Sequence, residues 1–442
     1  MRAHSVITGL GPVSSLGLGA DTFWDMLNEG TTAIAPIESF DPSGFRVQIA
    51  GQVQGANIRE YVPKSYRKAT KVMARDTELA VIAAKLAADD AGLKTRGSEE
   101  GDEGHPIVPA RVGCQIGAGL IAAETEELAR AVATAKDDEG VFSMKKWGTE
   151  GEGESGMNNL PPLWLLKYLP NMLACHVTII HGLEGPSNTI MGAEASALLS
   201  IGESARVIER GSADICFTGG AESRINPLGL VRWDYAGRLV HAQADTNPSE
   251  ICKPFDPGST NGLLGEAGGM LVIERESHAN ERGATPYARI TGFGAAQTPR
   301  PYIPAAKDIR GHDETERGLS ASISLALKES GRAPEDVDAV FTLGIGNPVL
   351  DAMELGAIRE SLSDDHGDTP PIVSIAHKCG NTMAAHAGLL SAAAALCLKH
   401  AHIPQSSIVY GQARSDRTPR VVVVCSSSLG GQAGALVLES CA

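Results

Sequence analysis

A duplicated plan constrains this chain more than any other feature. The octapeptide VITGLGPV at 6–13 returns as RITGFGAA at 289–296, and each copy opens a run of strand, helix, strand, helix, strand, helix, strand, strand. In the first run the spacing predicts a helix over about 76–93 (DTELAVIAAKLAADDAGL), the strands RVGCQIGAG and SNTIM, a helix after Glu194, and the closing strands ADICFTGG and GMLVIER. In the second run the same order reads LSASISLALKES, VDAVFTLGIG, PIVSIAHKCG, a helix from Asn381 to Leu398, RVVVVCSSS and GALVLES. The expected division is therefore 1–275 and 276–442.

The helices carry apolar residues three and four apart, as at Leu198, Ile201, Ala205 and Ile208, while the strands are rich in Val and Ile and almost free of charge. Strands of that composition are buried on both faces by helices. Two such sheets predict an α/β fold layered α/β/α/β/α. The Gly-rich, acidic stretches 94–106 and 136–159 read as solvated excursions.

At 442 residues, 43% hydrophobic and 21% charged, the chain has the composition of an ordinary globular α/β protein. No segment approaches the roughly 20 apolar residues of a membrane span, and the first residues lack a leader pattern, so a cytoplasmic protein that does not enter a membrane is expected. A net charge of −15 argues against a general nucleic-acid surface. The eight cysteines (114, 175, 216, 252, 379, 397, 425, 441) form no C-x-x-C pair, which fits buried free thiols better than disulfides or zinc.

Chemistry is expected at the stretch GPSNTIMGAEAS, where a short strand enters a Gly192-Ala193 turn and then a helix. Acyl-transfer enzymes present a Ser or Cys on such a turn. Here the residue is Glu194.

Taken together, VITGLGPVSSLG, HVTIIHGLEGPS, GSADICFTGGAES, KPFDPGSTNGLLGEAGGMLVIE and SSSLGGQAGALVL resemble, in order and over nearly the whole length, the β-ketoacyl synthases of the thiolase-like superfamily. The resemblance implies a thiolase-like fold, pairing of subunits through the strand before the elbow, and acyl chains delivered on an acyl carrier protein, with no cofactor and no metal. The family's chemistry uses a Cys at the helix N-terminus and two His that hold the thioester oxygen. Carried over, the Cys position is Glu194, the first His is Leu343 and the second is Asn381. His377 and Lys378 are shifted off the family's lysine position. The Phe of a C-terminal loop is replaced around Ser428-Leu429.

Such losses are similar to those of the chain-length factor, the silent partner of an active ketosynthase in type II polyketide, polyene or specialised fatty acid synthesis. Glu194 departs from that group's usual Gln. Two other functions stay open: a malonyl-carrier decarboxylase or hydrolase using Glu194, and a homomeric acyl-binding pseudoenzyme. Which product is made, and how long, is not written in the sequence.

Three further groups of residues stand out. Lys64, Arg67, Lys68, Lys71 and Arg75 fall on about three turns of an expected helix; the resemblance makes them a docking face for an acidic carrier protein, and a solvated helix face with a few ion pairs fits the residues as well. Trp164, Leu165, Tyr168, Leu169 and Met172, in the apolar run before the elbow, are expected at the subunit interface and acyl tunnel. His377, Cys379 and His386 have no fourth ligand, so a packed loop explains them better than a metal.

Overall fold

The computed structural model describes residues 4–98, 103–148, 155–298, 316–363, 367–413, 417–428 and 430–441. The first half contains β1 (Ser5–Ser14), α1 (Arg75–Asp90), β2 (Val112–Ala118), α2 (Met172–His181), β3 (Ser187–Ile190), α3 (Ser196–Glu209), β4 (Ile215–Ser223) and β5 (Glu266–Arg275). The second contains β6 (Ala288–Gln297), α4 (Arg317–Ser330), β7 (Ala339–Phe341), α5 (Pro348–Leu362), β8 (Ile372–Val373), α6 (His386–His400), β9 (Ile408–Tyr410), β10 (Val421–Ser427) and β11 (Gln432–Glu439).

The strand order β1-β5-β4-β2-β3 repeats as β6-β11-β10-β7-β8. Directions repeat too, antiparallel, antiparallel, parallel, parallel. One difference breaks the repeat: β9 pairs antiparallel along the outer side of β8, whereas β3 ends its side of the sheet. The halves join where Ser5–Ile7 of β1 pairs antiparallel with Ala288–Ile290 of β6.

The repeated octapeptide has a packing reason. Both copies bulge at the same place, between Ile7 and Gly9 and between Ile290 and Gly292. A Cβ on Gly11 would lie 2.0 Å from the Ala83 carbonyl oxygen of α1, and one on Gly294 would lie 2.0 Å from the Ser322 carbonyl oxygen of α4. Each outer helix thus rests directly on a strand backbone. α1 and α2 bury one apolar cluster against the first half, and α4 and α5 another against the second. α3 and α6 lie between the halves in the largest cluster, which draws on strands of both. α6 is buried from His386 through Leu398, as a helix apolar on every side must be.

Within the stretch 136–159, Met144–Trp147 and Gly156–Asn159 are short helical turns, and residues 149–154 lie outside the described part. One expectation on the connections needs correction. The helix expected from Asn381 starts at His386, after a 3-10 turn at Met383–Ala385. No helix among the described residues is long and apolar enough to cross a membrane.

Gly11→Ala should cost about 1–3 kcal/mol or prevent folding, because α1 must shift bodily to admit the methyl group. Gly30→Ala, with nothing within 4 Å of the added carbon, should stay within about 0.5 kcal/mol of the wild type. Denaturant unfolding of both variants checks this.

Candidate active site

Two equivalent elbows, one from each half, meet at the centre of the molecule. In the first, Ala193 takes a left-handed φ of 47° and opens the 3-10 turn Ala193–Ala195 that leads into α3. In the second, Met383 takes φ 54° and opens the turn that leads into α6. Both residues adopt a backbone region that side chains normally avoid, and the surrounding packing holds them there.

Glu194 is 2% exposed and lies in the first turn of its elbow. The Asn381 Nδ2 donates to its Oε1 at 3.4 Å, while its Oε2 has no hydrogen-bond partner among the described residues. The Ser426 hydroxyl donates to the Glu194 carbonyl at 3.0 Å, and the Gly192 amide donates to Ser196 Oγ at 2.8 Å. The amide ends of α3 and α6 both approach this point, which favours a carboxylate there.

Leu343 sits on the loop between β7 and α5, 6% exposed and packed with Ile345, Leu350 and Ala376. The shape of that loop comes from two buried acids on α5. Glu354 accepts from the Thr342 hydroxyl, the Leu343 amide at 3.2 Å and the Gly344 amide at 2.9 Å. Asp351 accepts from the amides of Ile345 at 3.1 Å, Gly346 at 3.0 Å and Phe255 at 2.9 Å. Burial, and then the charge of Glu354, pushes the Asp351 carboxyl up to about 7; burial raises Glu354 as well.

A second acid pair supports the other elbow. Glu222, fully buried on β4, accepts from the Ala384 amide at 2.9 Å and is paired with Arg224. Asp76 accepts from the Ser223 amide at 3.2 Å, and burial followed by repulsion from Glu222 pushes it up to about 7.

The structure therefore brings Glu194 and Asn381 into contact and places Leu343 on a loop held by acids that the sequence reading missed. Glu222 gave a signal, a lone carboxylate in an otherwise uncharged strand. Asp351 and Glu354 gave none, since acids three apart on a helix read as a wet face. Leu429 lies outside the described residues.

His377, Cys379 and His386 have separate partners: Ser406 O for His377, Ile375 O for Cys379, and Thr382 for His386. Burial pushes His386 down to about 3 and Cys379 up to about 12. Among the described residues no group of three or more His, Cys, Asp or Glu is arranged to hold a metal ion.

The basic segment is not the expected three-turn helix. Lys64–Tyr66 and Ala69–Val72 are 3-10 turns, and the chain then extends through Met73 and Ala74, whose side chains are drawn into the core. Lys64, Arg67, Lys68 and Lys71 remain exposed. Arg75 opens α1 instead and is bound to Glu266 and Glu78, so it turns away from the other four.

The apolar run is also split. Leu165 is 62% exposed and Leu166 39%, but Tyr168 is buried with its hydroxyl donating to Glu127 at 2.6 Å. Trp164 packs against the first-half core, and Leu169 and Met172 are half-buried. The run is therefore not one continuous exposed face.

Asp76 gives a pH signature. Its carboxyl is raised from 3.8 to about 7 on folding, so its proton stabilises the folded state below pH 4, and that contribution is lost as pH rises toward 7. Asp76→Asn keeps the acceptor for Ser223 and removes the ionisation. Its stability relative to wild type should climb with pH across that window, by at most about 1.4 kcal/mol per unit, and level off above it. Denaturant midpoints of both proteins from pH 5 to 8 read this out, and a pH-independent difference would contradict it.

Comparison with known proteins agrees with this architecture. The chain matches the family model described as Beta-ketoacyl synthase, N-terminal domain, over residues 5–279, and its C-terminal counterpart over 287–409. It is 28% identical over 363 residues to the 3-oxoacyl-[acyl-carrier-protein] synthase 2 of Vibrio cholerae serotype O1, covering 82% of this chain and 78% of that one. Against the same-named protein of Staphylococcus aureus it is 28% identical over 398 residues, covering 90% and 88%. Among solved structures, the ishigamide ketosynthase/chain length factor superposes with a TM-score of 0.78 at 22% identity, each chain covered in full. A ketosynthase structure with its type II PKS acyl-carrier protein and a hexaketide gives 0.76 at 20%, again over both full chains. With the repeated strand order, the paired elbows and two family models spanning most of its length, the chain belongs to the β-ketoacyl synthase family of the thiolase-like fold.

Proposed function

We propose that this chain is the non-condensing member of a ketosynthase pair, a chain-length factor that shapes the acyl tunnel of an active partner. The observation that carries the reading is Glu194 at the nucleophile position, buried and bonded to Asn381. A carboxylate attacking a thioester would give an anhydride, which lies uphill and hydrolyses. Condensation also needs donors for the enolate oxygen formed on decarboxylation. Leu343 offers none, and the Asn381 amide is turned to Glu194.

The internal repeat supports a two-chain assembly. In the second half the outer side of β8 is covered by the antiparallel strand β9, and the matching strand β3 lacks a cover among the described residues. A strand from a second chain of the same fold fits that vacancy. Ile179 and Met191, 48% and 53% exposed, flank it, and Leu165 and Leu166 add exposed apolar area. Lys64, Arg67, Lys68 and Lys71 form no ion pair among the described residues in a chain of net charge −15, which suits an acidic carrier protein. The ketosynthase structure solved with its acyl-carrier protein is a precedent for such docking.

Incubated with acyl- and malonyl-carrier thioesters, the isolated protein should gain no mass and form no condensed product. A stoichiometric adduct in the intact-mass spectrum would overturn the silent role. Glu194→Gln should fold and assemble normally, at a cost of at most ~1 kcal/mol from the lost helix-end charge. Should the wild type release CO2 from malonyl carrier protein and the Gln variant not, a decarboxylase reading replaces this one.

Co-expressed with an active ketosynthase of the same family, the chain should give a one-to-one complex by native mass spectrometry. Leu165→Trp in that complex should shorten the product. A product length indifferent to substitutions at 165 and 166 would remove the chain-length role.

A further inference from the structure

A row of three polar side chains crosses the first half and ends at its bare edge. Thr218 of β4, Gln115 of β2 and Asn188 of β3 stand side by side in the parallel register. Side chains in register on neighbouring strands share a face. The face is the inner one: a Cβ on Gly117, two residues beyond Gln115, would meet Ser196 and Ala197 of α3. On β5 the row stops at Leu271, the register partner of Thr218.

Two members of the row are buried with hydrogen-bonding capacity left over. Gln115 is 2% exposed; its Nε2 donates to the Pro186 carbonyl at 3.0 Å, but its Oε1 has no partner among the described residues. Thr218 is fully buried, and its hydroxyl has none among them either. Asn188 is exposed on the edge strand, with its Oδ1 accepting from the Thr189 amide at 2.9 Å and no bond to its Nδ2 among the described residues. On the other face of the same strands stand Cys114, Ile116 and Phe217, all fully buried. A polar row of this kind costs stability inside an apolar layer, and it ends at a donor aimed into solvent beside β3.

We propose that Asn188, the exposed end of this polar row, selects the partner at this edge: the strand that pairs with β3 presents a hydrogen-bond acceptor opposite Asn188, and a strand presenting an aliphatic side chain there is excluded. The proposal rests on the reading of β3 as the pairing edge. The occupant is a second chain of the ketosynthase fold. Pairing buries Asn188, and a buried carboxamide left facing a hydrocarbon loses its water without replacement. Specificity of this sort arises from the penalty on the wrong partner as much as from attraction to the right one.

The test uses the dimer the chain forms, with a second copy or with a co-expressed active ketosynthase of the same family. Its dissociation constant is measured by native mass spectrometry over a dilution series for wild type, Asn188→Val and Asn188→Ser. Asn188→Val should weaken assembly at least tenfold, and Asn188→Ser, which keeps a donor, should stay within threefold of wild type. Thermal melts of each chain before assembly separate loss of pairing from loss of fold. Unchanged or tighter assembly of Asn188→Val overturns the selection by Asn188 and leaves the edge reading intact. A wild type that stays monomeric under both conditions overturns the edge reading and this proposal with it.

Discussion

The centre of this molecule depends on two helices being clamped between two half-sheets. Because α3 and α6 have strands of both halves against them, neither can slide, and their N-terminal ends are forced together. Amide groups at a buried helix start need acceptors from the protein itself. Buried acids meet that need: Glu222 takes the Ala384 amide, and Glu194 lies in the opposing first turn. The buried carboxylate of Glu194 is thus compatible with the architecture around it.

Much of the fold was legible because its determinants are local. The Thr-Gly-x-Gly motif marks strands on which a helix lies directly, and it occurs twice. Runs such as Val421–Val424 admit only a strand buried on both faces. What escaped was set by tertiary contact. A helix over 64–75 satisfies the pattern of basic residues, but burying Met73 and Ala74 requires an extended chain there. The run 164–173 is largely apolar in sequence, broken only by Lys167 and Asn171, and only the packing distinguishes outward Leu165 from Tyr168, anchored through Glu127.

The candidate site was legible in part for the same reason. Glu194, Leu343 and Asn381 follow from motif position, and the contact between Glu194 and Asn381 places two of them together. Asp351 and Glu354 could not be read, since nothing in DAMELGAI separates an acid turned inward to bind loop amides from one turned to water. Pattern reports the face of a helix only when charge and burial agree.

The loop that carries Leu343 takes its shape from behind. Its amides are held by Glu354 and Asp351, and no hydrogen bond that shapes it comes from the Leu343 side chain. The second elbow is likewise fixed by Glu222 through the Ala384 backbone. The Leu343 side chain can therefore be exchanged without removing a bond that holds its loop, whereas Asn381 is part of the frame itself, since its Oδ1 accepts from the Met383 amide at 2.9 Å.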